Sequence, residues 1–216
     1  MSDRAAFLAG LRATPRGEDR PLPLLDEPPD APSELRPGED PVQRFRAEAA
    51  AVATELHAVA TVDTLATAVL AILREEGAVD VALADDLGDQ REAIDGTLRD
   101  AGIAVAAYDD VAADRARAGA LDATVTGCLA AVAATGSIVT SAAAGRSAAL
   151  IAPVHVCVVP RGRIVSGLHA LLDMGALSEA GSLFALQSGP SRSADIEKTL
   201  ILGVHGPARV HVVIVG

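Results

Sequence analysis

The sequence predicts an α/β fold in which a parallel or mixed sheet is flanked by helices, and three observations carry that reading. Short apolar runs at residues 79–84, 103–107, 153–159 and 208–215 alternate with helix-length amphipathic segments. The last run is nearly all valine and isoleucine apart from Arg209 and His211, which suits an inner strand covered on both faces. Half of the 216 residues are hydrophobic, enough for one substantial core.

Residues 1–40 stand apart from residues 41–216. Ser2 to Arg12 reads as a short helix capped by Ser2. Beyond it, Pro15, Pro21, Pro23, Pro28, Pro29, Pro32 and Pro37 forbid regular helix or central strand. Leu22, Leu24, Leu25 and Leu35 make this stretch an arm fit to pack on its own or another subunit, so a homo-oligomer is one expectation. The α/β domain, 41–216, opens with two expected helices over 41–76. Pro41 to Val59 carries a stripe of Val42, Phe45, Ala49, Val52 and Leu56. Asp63 caps the second, Thr64 to Glu76, which turns Ala66, Val69, Leu70 and Leu73 inward before Gly77.

Val79 to Ala84 is the first strand. Asp85 and Asp86 follow it as loop and helix cap, since consecutive carboxylates point apart and make a poor metal pair. Helix, strand and helix are expected at Gln90–Asp100, Ile103–Ala107 and Asp110–Ala118. Ala123–Ala134 and Ser137–Ser141 read as strand material joined through Thr135 and Gly136, where glycine permits a turn or a close approach. Pro153–Val159 is a strand that buries a hydrogen-bonded His155, and Gly167–Leu177 is a helix.

The C-terminal stretch holds the candidate chemistry. Ser182–Leu186 reads as a buried strand that ends in the polar turn Gln187–Pro190. Pro190, Ser191, Ser193 and Asp195 then crowd the start of a short helix whose apolar face is Ile196, Thr199, Leu200 and Gly203. Ligands of open α/β sheets sit beyond the carboxyl ends of strands, where loops meet helix N-termini. That rule selects Ser188, Gly189, Pro190 and Ser191, with backbone N–H groups and hydroxyls that suit a carboxylate or phosphate. Arg146 offers a planar fork for the same anion, or pairs with a neighbouring acid. Asp195 and Glu197 differ by about 200° around a helix, so one is structural. Asp195 suits the cap, which leaves Glu197 as candidate acid/base or nucleophile. For His205 three readings stay open: an antiparallel last strand, a site shared between subunits, or a structural turn.

The string SGPSRSADIEKTLILGVHGP, together with Ala134-Thr135-Gly136-Ser137-Ile138-Val139, resembles the two signatures of the LUD-domain family of lactate utilisation. The resemblance covers about residues 45 to 216. It implies a fold like the ribose-phosphate isomerase and coenzyme A transferase group, and a part in bacterial oxidation of L-lactate to pyruvate beside iron–sulfur partner proteins. It also assigns a ligand role to Thr135, Gly136 and Ser137, which from the residues alone make a simple turn.

Composition narrows the classes. A formal net charge of −11, 2% aromatic residues and no Trp disfavour a nucleic-acid partner, which needs a basic face and stacking platforms. Cys128 and Cys157 are too few for the four thiolates of an iron–sulfur centre or a structural zinc site, so no cofactor is assigned from the chain. No apolar run spans a bilayer and no signal-peptide pattern is present, so the expected location is cytoplasmic. G-x-S-x-G and G-x-G-x-x-G are absent, which removes serine-hydrolase and dinucleotide readings. Three roles remain: a lactate-oxidation component binding a small anionic metabolite, a non-catalytic assembly subunit, or a stand-alone isomerase or coenzyme A transferase-like enzyme.

Overall fold

The computed structural model of the chain describes residues 35–145, 147–175, 183–193, 201–202 and 206–216. Its frame is a six-stranded, wholly parallel sheet. In chain order its strands are β1 (Glu55–Val59), β2 (Asp80–Leu83), β3 (Ala104–Ala107), β4 (Ala123–Thr126), β7 (Val154–Pro160) and β12 (Arg209–Val215). In space they run β1-β12-β7-β4-β2-β3. A smaller four-stranded sheet, in the order β8-β5-β6-β9, joins β5 (Ala130–Val132), β6 (Ser137–Ser141), β8 (Ile164–Val165) and β9 (Phe184–Gln187).

Period-two alternation decides what each face of the main sheet meets. Val154, Val156 and Val158 of β7 point to one side, with Val81, Leu83, Val125 and Val213. There they bury α2 (Val62–Glu75) through Leu65, Val69 and Leu73, and α3 (Gln90–Asp100) through Ile94 and Leu98. Cys157 and Val159 point to the other side, with Val210, Val212 and Ile214. That side is covered by α1 (Pro41–Ala51), through Phe45 and Ala49, and by the small sheet, through Ala131 and Ile138. Farther along it, α4 (Tyr108–Ala112) and α5 (Arg115–Ala118) pack Tyr108, Val111 and Ala118 on Ala82 and Ala84.

The expected long helix from Pro41 to Val59 is two elements. After Ala51 the chain turns, Ala53 takes the left-handed conformation at φ 64, and residues 55–59 become β1. A single Ala in that region is costly for an L-residue, yet the reversal places Leu56 and His57 in the sheet, where pairing with β12 outweighs helix propensity. Val52 is the helix C-cap, and Leu56 packs from a strand. The next helix begins two residues earlier than expected: Thr61 is the cap, with a reciprocal Thr61–Thr64 box, and Asp63 lies in the first turn. The single expected helix over 110–118 is the pair α4 and α5, separated by the Asp114 cap.

The C-terminal reading needs two corrections. β9 is an outer, antiparallel strand of the small sheet, with Phe184 and Leu186 exposed, not a buried strand of the parallel sheet. Arg192–Ser193 (β10) pairs antiparallel with Ile201–Leu202 (β11), so helix neither begins at 192–193 nor runs on through 201–202. Both short strands are edge pieces whose pairing an apolar i, i+4 pattern does not reveal. The helix expected over 167–177 is α6 (Leu168–Asp173), which ends earlier than expected.

Candidate functional site

The two stretches singled out in the sequence meet. The β5–β6 hairpin turn brings Thr135 Oγ1 to 2.7 Å from Ser137 Oγ, and β9 pairs with β6 so that Ser188 Oγ lies 2.6 Å from Ser137 Oγ, across 51 residues of chain. Three hydroxyls carry three protons, and the two links within the trio use two of them. The third is left to donate elsewhere, strengthened by the chain of hydrogen bonds behind it. Ser137 is buried, while Thr135 and Ser188 are exposed.

The neighbouring glycines have a different task. Gly136 (φ +63) and Gly189 (φ +81) sit in the left-handed region, and a Cβ on either would collide with backbone of the first helix and its cap: Glu48 and Ala49 for Gly136, Val52 for Gly189. They let the two loops close on α1. Pro190 is buried, and the Ser191 amide donates to Pro207 O at 2.9 Å, so that N–H is engaged by the protein itself. Of the remaining candidates, Arg146, Asp195, Glu197 and His205 lie outside the described residues. For His205 the fold removes one reading, since β12 runs parallel to both its neighbours.

Behind the trio is a buried polar relay. Gln187, next to Ser188, accepts a hydrogen bond from His155 Nδ1 at 2.9 Å through Oε1 and donates from Nε2 to Ala149 O at 3.4 Å. This amide orientation places the imidazole proton on Nδ1, and the Thr126 hydroxyl, which donates to Gly127 O at 2.8 Å, lies 2.9 Å from Nε2. Gly127 O then accepts from Cys157 Sγ at 3.3 Å. Burial pushes the His155 pKa down to about 4, so the ring is neutral and fixed in one tautomer at ordinary pH. The expected buried, hydrogen-bonded histidine is found, now tied to the β9 strand that leads into Ser188.

A second concavity escaped the sequence reading. Beyond the carboxyl ends of β2, β4 and β7 lies a cavity of about 200 Å³ lined by Asp86, Gln90, Gly127, Cys128 and Arg163. Burial raises the Asp86 pKa above the usual carboxylate value, although Oδ1 accepts from Gly127 N at 2.8 Å, which acts the other way. Arg163 Nη1 donates to Leu129 O at 3.0 Å. Asp86 is thus both the loop brace expected of it and a pocket wall, and the strand-end rule, applied to the true parallel sheet, selects this place. A wider groove of about 580 Å³ beside α3 is open surface whose arginines, Arg91 and Arg99, already pair with Asp85 (3.1 Å) and Asp95 (2.9 Å).

A parallel sheet carrying a small mixed sheet on one face, with a hydroxyl trio where the two signature loops close, defines an α/β domain of the LUD type. The chain belongs to the LUD domain family, whose model matches residues 42–215. Among curated proteins it is similar to lactate utilization protein C of Deinococcus radiodurans, 37% identical over 99 residues, 44% of this chain and 47% of that protein. It is likewise similar to lactate utilization protein C of an Exiguobacterium species, 39% identical over 94 residues, 40% of each chain. The matched stretches span less than half the length of either relative. A crystal structure of a DUF162 family protein from Deinococcus radiodurans superposes with a TM-score of 0.61 at 23% identity, covering 82% of this chain and 96% of that one, and so shares the fold. Among the described residues no helix is long and apolar enough to cross a membrane.

Proposed function

We propose that this chain is a component of lactate utilisation that binds a small carboxylate, of the lactate or pyruvate class, at Thr135, Ser137 and Ser188. The observation that carries the reading is the 2.6 Å approach of Ser137 and Ser188, which turns two separate signatures into one hydroxyl donor set. A carboxylate accepts hydrogen bonds only, so a polarised hydroxyl chain that ends in a donor suits it. The neutral His155 and Gln187 hold β9, and with it Ser188, in place. Asp195 and Glu197, in the stretch 194–200, are the acid/base candidates of this reading, and Arg146 and His205 are its further candidate anion contacts. Oxidation of lactate to pyruvate removes two electrons and two protons. With two cysteines in the chain, an iron–sulfur partner is the acceptor this reading calls for.

Calorimetric titration of the purified chain with L-lactate and with pyruvate tests this. Binding of either, weakened at least tenfold in Ser188→Ala and Ser137→Ala, is the expected result. Binding that both variants retain counts against it. The raised pKa of Asp86 supports a second reading, an acyl-transfer or isomerase site at the carboxyl-end cavity. There coenzyme A or a sugar phosphate would bind, Asp86→Asn would remove activity, and Ser188→Ala would not.

A further inference from the structure

At the opposite, amino-terminal end of the sheet, β1 and β12 bring together a second set of titratable side chains that the hydroxyl site does not use. Glu55, Glu76 and the wholly buried His211 offer ligand atoms that all lie within 4.8 Å of one another. His57, two residues from Glu55 and on the same face of β1, places Nε2 at 3.2 Å from His211 Nδ1. His211 Nε2 donates to Glu76 Oε1 at 3.2 Å, and Arg209 holds the same carboxylate at 3.1 Å.

We propose that His57, His211 and Glu55 form a binding site for a divalent transition-metal ion of the zinc class. With Nε2 committed to Glu76, His211 turns Nδ1 towards His57. Without an ion, the lone pair of His211 Nδ1 accepts the His57 Nε2 proton. An ion replaces the proton, and His57 moves to its Nδ1–H tautomer so that two nitrogen lone pairs meet the metal. Two imidazoles on one tetrahedral ion at about 2.0–2.1 Å stand about 3.3–3.4 Å apart, close to the separation found here. Glu55 Oε2 lies 3.9 Å from His211 Nδ1, on a half-exposed side chain whose contact with Arg209 is a loose 3.6 Å. It is therefore free to swing onto the ion. Glu76, braced by Arg209, becomes the outer carboxylate that orients a metal-bound histidine. Glu55, Glu75 and Glu76 all act on the guanidinium of Arg209, so among the described residues three carboxylates favour a cation here.

The position identifies its task. Ligands of parallel sheets are processed at the carboxyl ends of strands, and this cluster lies at the other end. An ion here clasps β1, an outermost strand of the main sheet, to β12 and to the end of α2. The site is structural.

Zinc and cobalt titrations of the chelator-stripped full chain test the proposal. We expect one ion per chain, visible-region cobalt bands of a four- or five-coordinate nitrogen/oxygen site, and a higher Tm with zinc. Glu55→Gln, at an exposed position, should weaken zinc at least tenfold while its metal-free Tm stays near that of the parent, and His57→Ala should weaken zinc as much with a lower metal-free Tm, since it also removes the donor to buried His211 Nδ1. Glu76→Gln, acting through His211, should weaken it tenfold to a hundredfold. Absence of stoichiometric binding, undiminished binding in both His57→Ala and Glu55→Gln, or thiolate charge-transfer bands that place cobalt on the cysteines overturns the proposal.

Discussion

Gly136 and His155 show how single residues fix the neighbourhood of the hydroxyl trio. Gly136→Ala forces an L-residue to φ +63 and drives a methyl into the backbone at Ala49. The left-handed strain and the overpacking together should lower stability by roughly 2–4 kcal/mol in urea unfolding. His155 acts through protonation. Its folded pKa of about 4 lies below the ordinary 6.5, so the unfolded chain binds the proton more readily, and stability is lost as pH falls from about 6.5 towards 4. The loss amounts to about 3 kcal/mol, and His155→Gln should flatten that part of the pH profile in denaturant titrations. His57, whose pKa burial also lowers, contributes in the same direction. Asp86, raised by burial, opposes, since its ionised form is the one disfavoured in the fold. The buried state of His155 was legible from its place in a valine-rich strand. Its partners were not, because Gln187 and Thr126 come from strands 32 and 29 residues away in chain position.

The α1–β1 junction marks where reading by element succeeds and where it fails. The segment 41–59 has helical periodicity, and no glycine or proline after Pro41 announces a break. The signal lies instead in a backbone conformation at Ala53 that alanine rarely adopts. Ala53→Gly removes that strain and should stabilise the protein by about 1 kcal/mol, read as a higher urea midpoint with an unchanged slope. At the start of α2, Thr61→Ala removes the hydroxyl that accepts from Thr64 N and should destabilise by about 1 kcal/mol in the same assay. Strands β2, β3, β7 and β12 were legible because each is a short apolar run with clear punctuation, whereas the strand material expected over 123–134 is two strands, β4 and β5, in different sheets. α3 was found at its expected bounds, Gln90–Asp100, since Asp and Gly precede it and Gly102 follows. β9 was legible as a strand but not its exposed place in the small sheet, and β10 and β11 were not legible, for each is short and leans on a partner strand that sequence spacing does not name.

Taken as a whole molecule, the fold separates two chemistries by the two ends and faces of one sheet. Antiparallel pairing of β6 with β9 in the small sheet sets Ser137 beside Ser188, and the parallel order of the main sheet gathers Asp86, Cys128 and Arg163 at its carboxyl ends. The sequence pointed to the first grouping through its two signatures. It hid the second, because Asp86, Cys128 and Arg163 become neighbours only once β2, β4 and β7 lie side by side. The most direct measurement is a crystal structure of the full chain soaked with pyruvate. The account predicts a carboxylate within hydrogen-bond distance of the Ser188 or Ser137 hydroxyl. Pyruvate bound at Asp86 and Arg163 with the hydroxyl trio empty, or no bound pyruvate at saturating concentration, would contradict it.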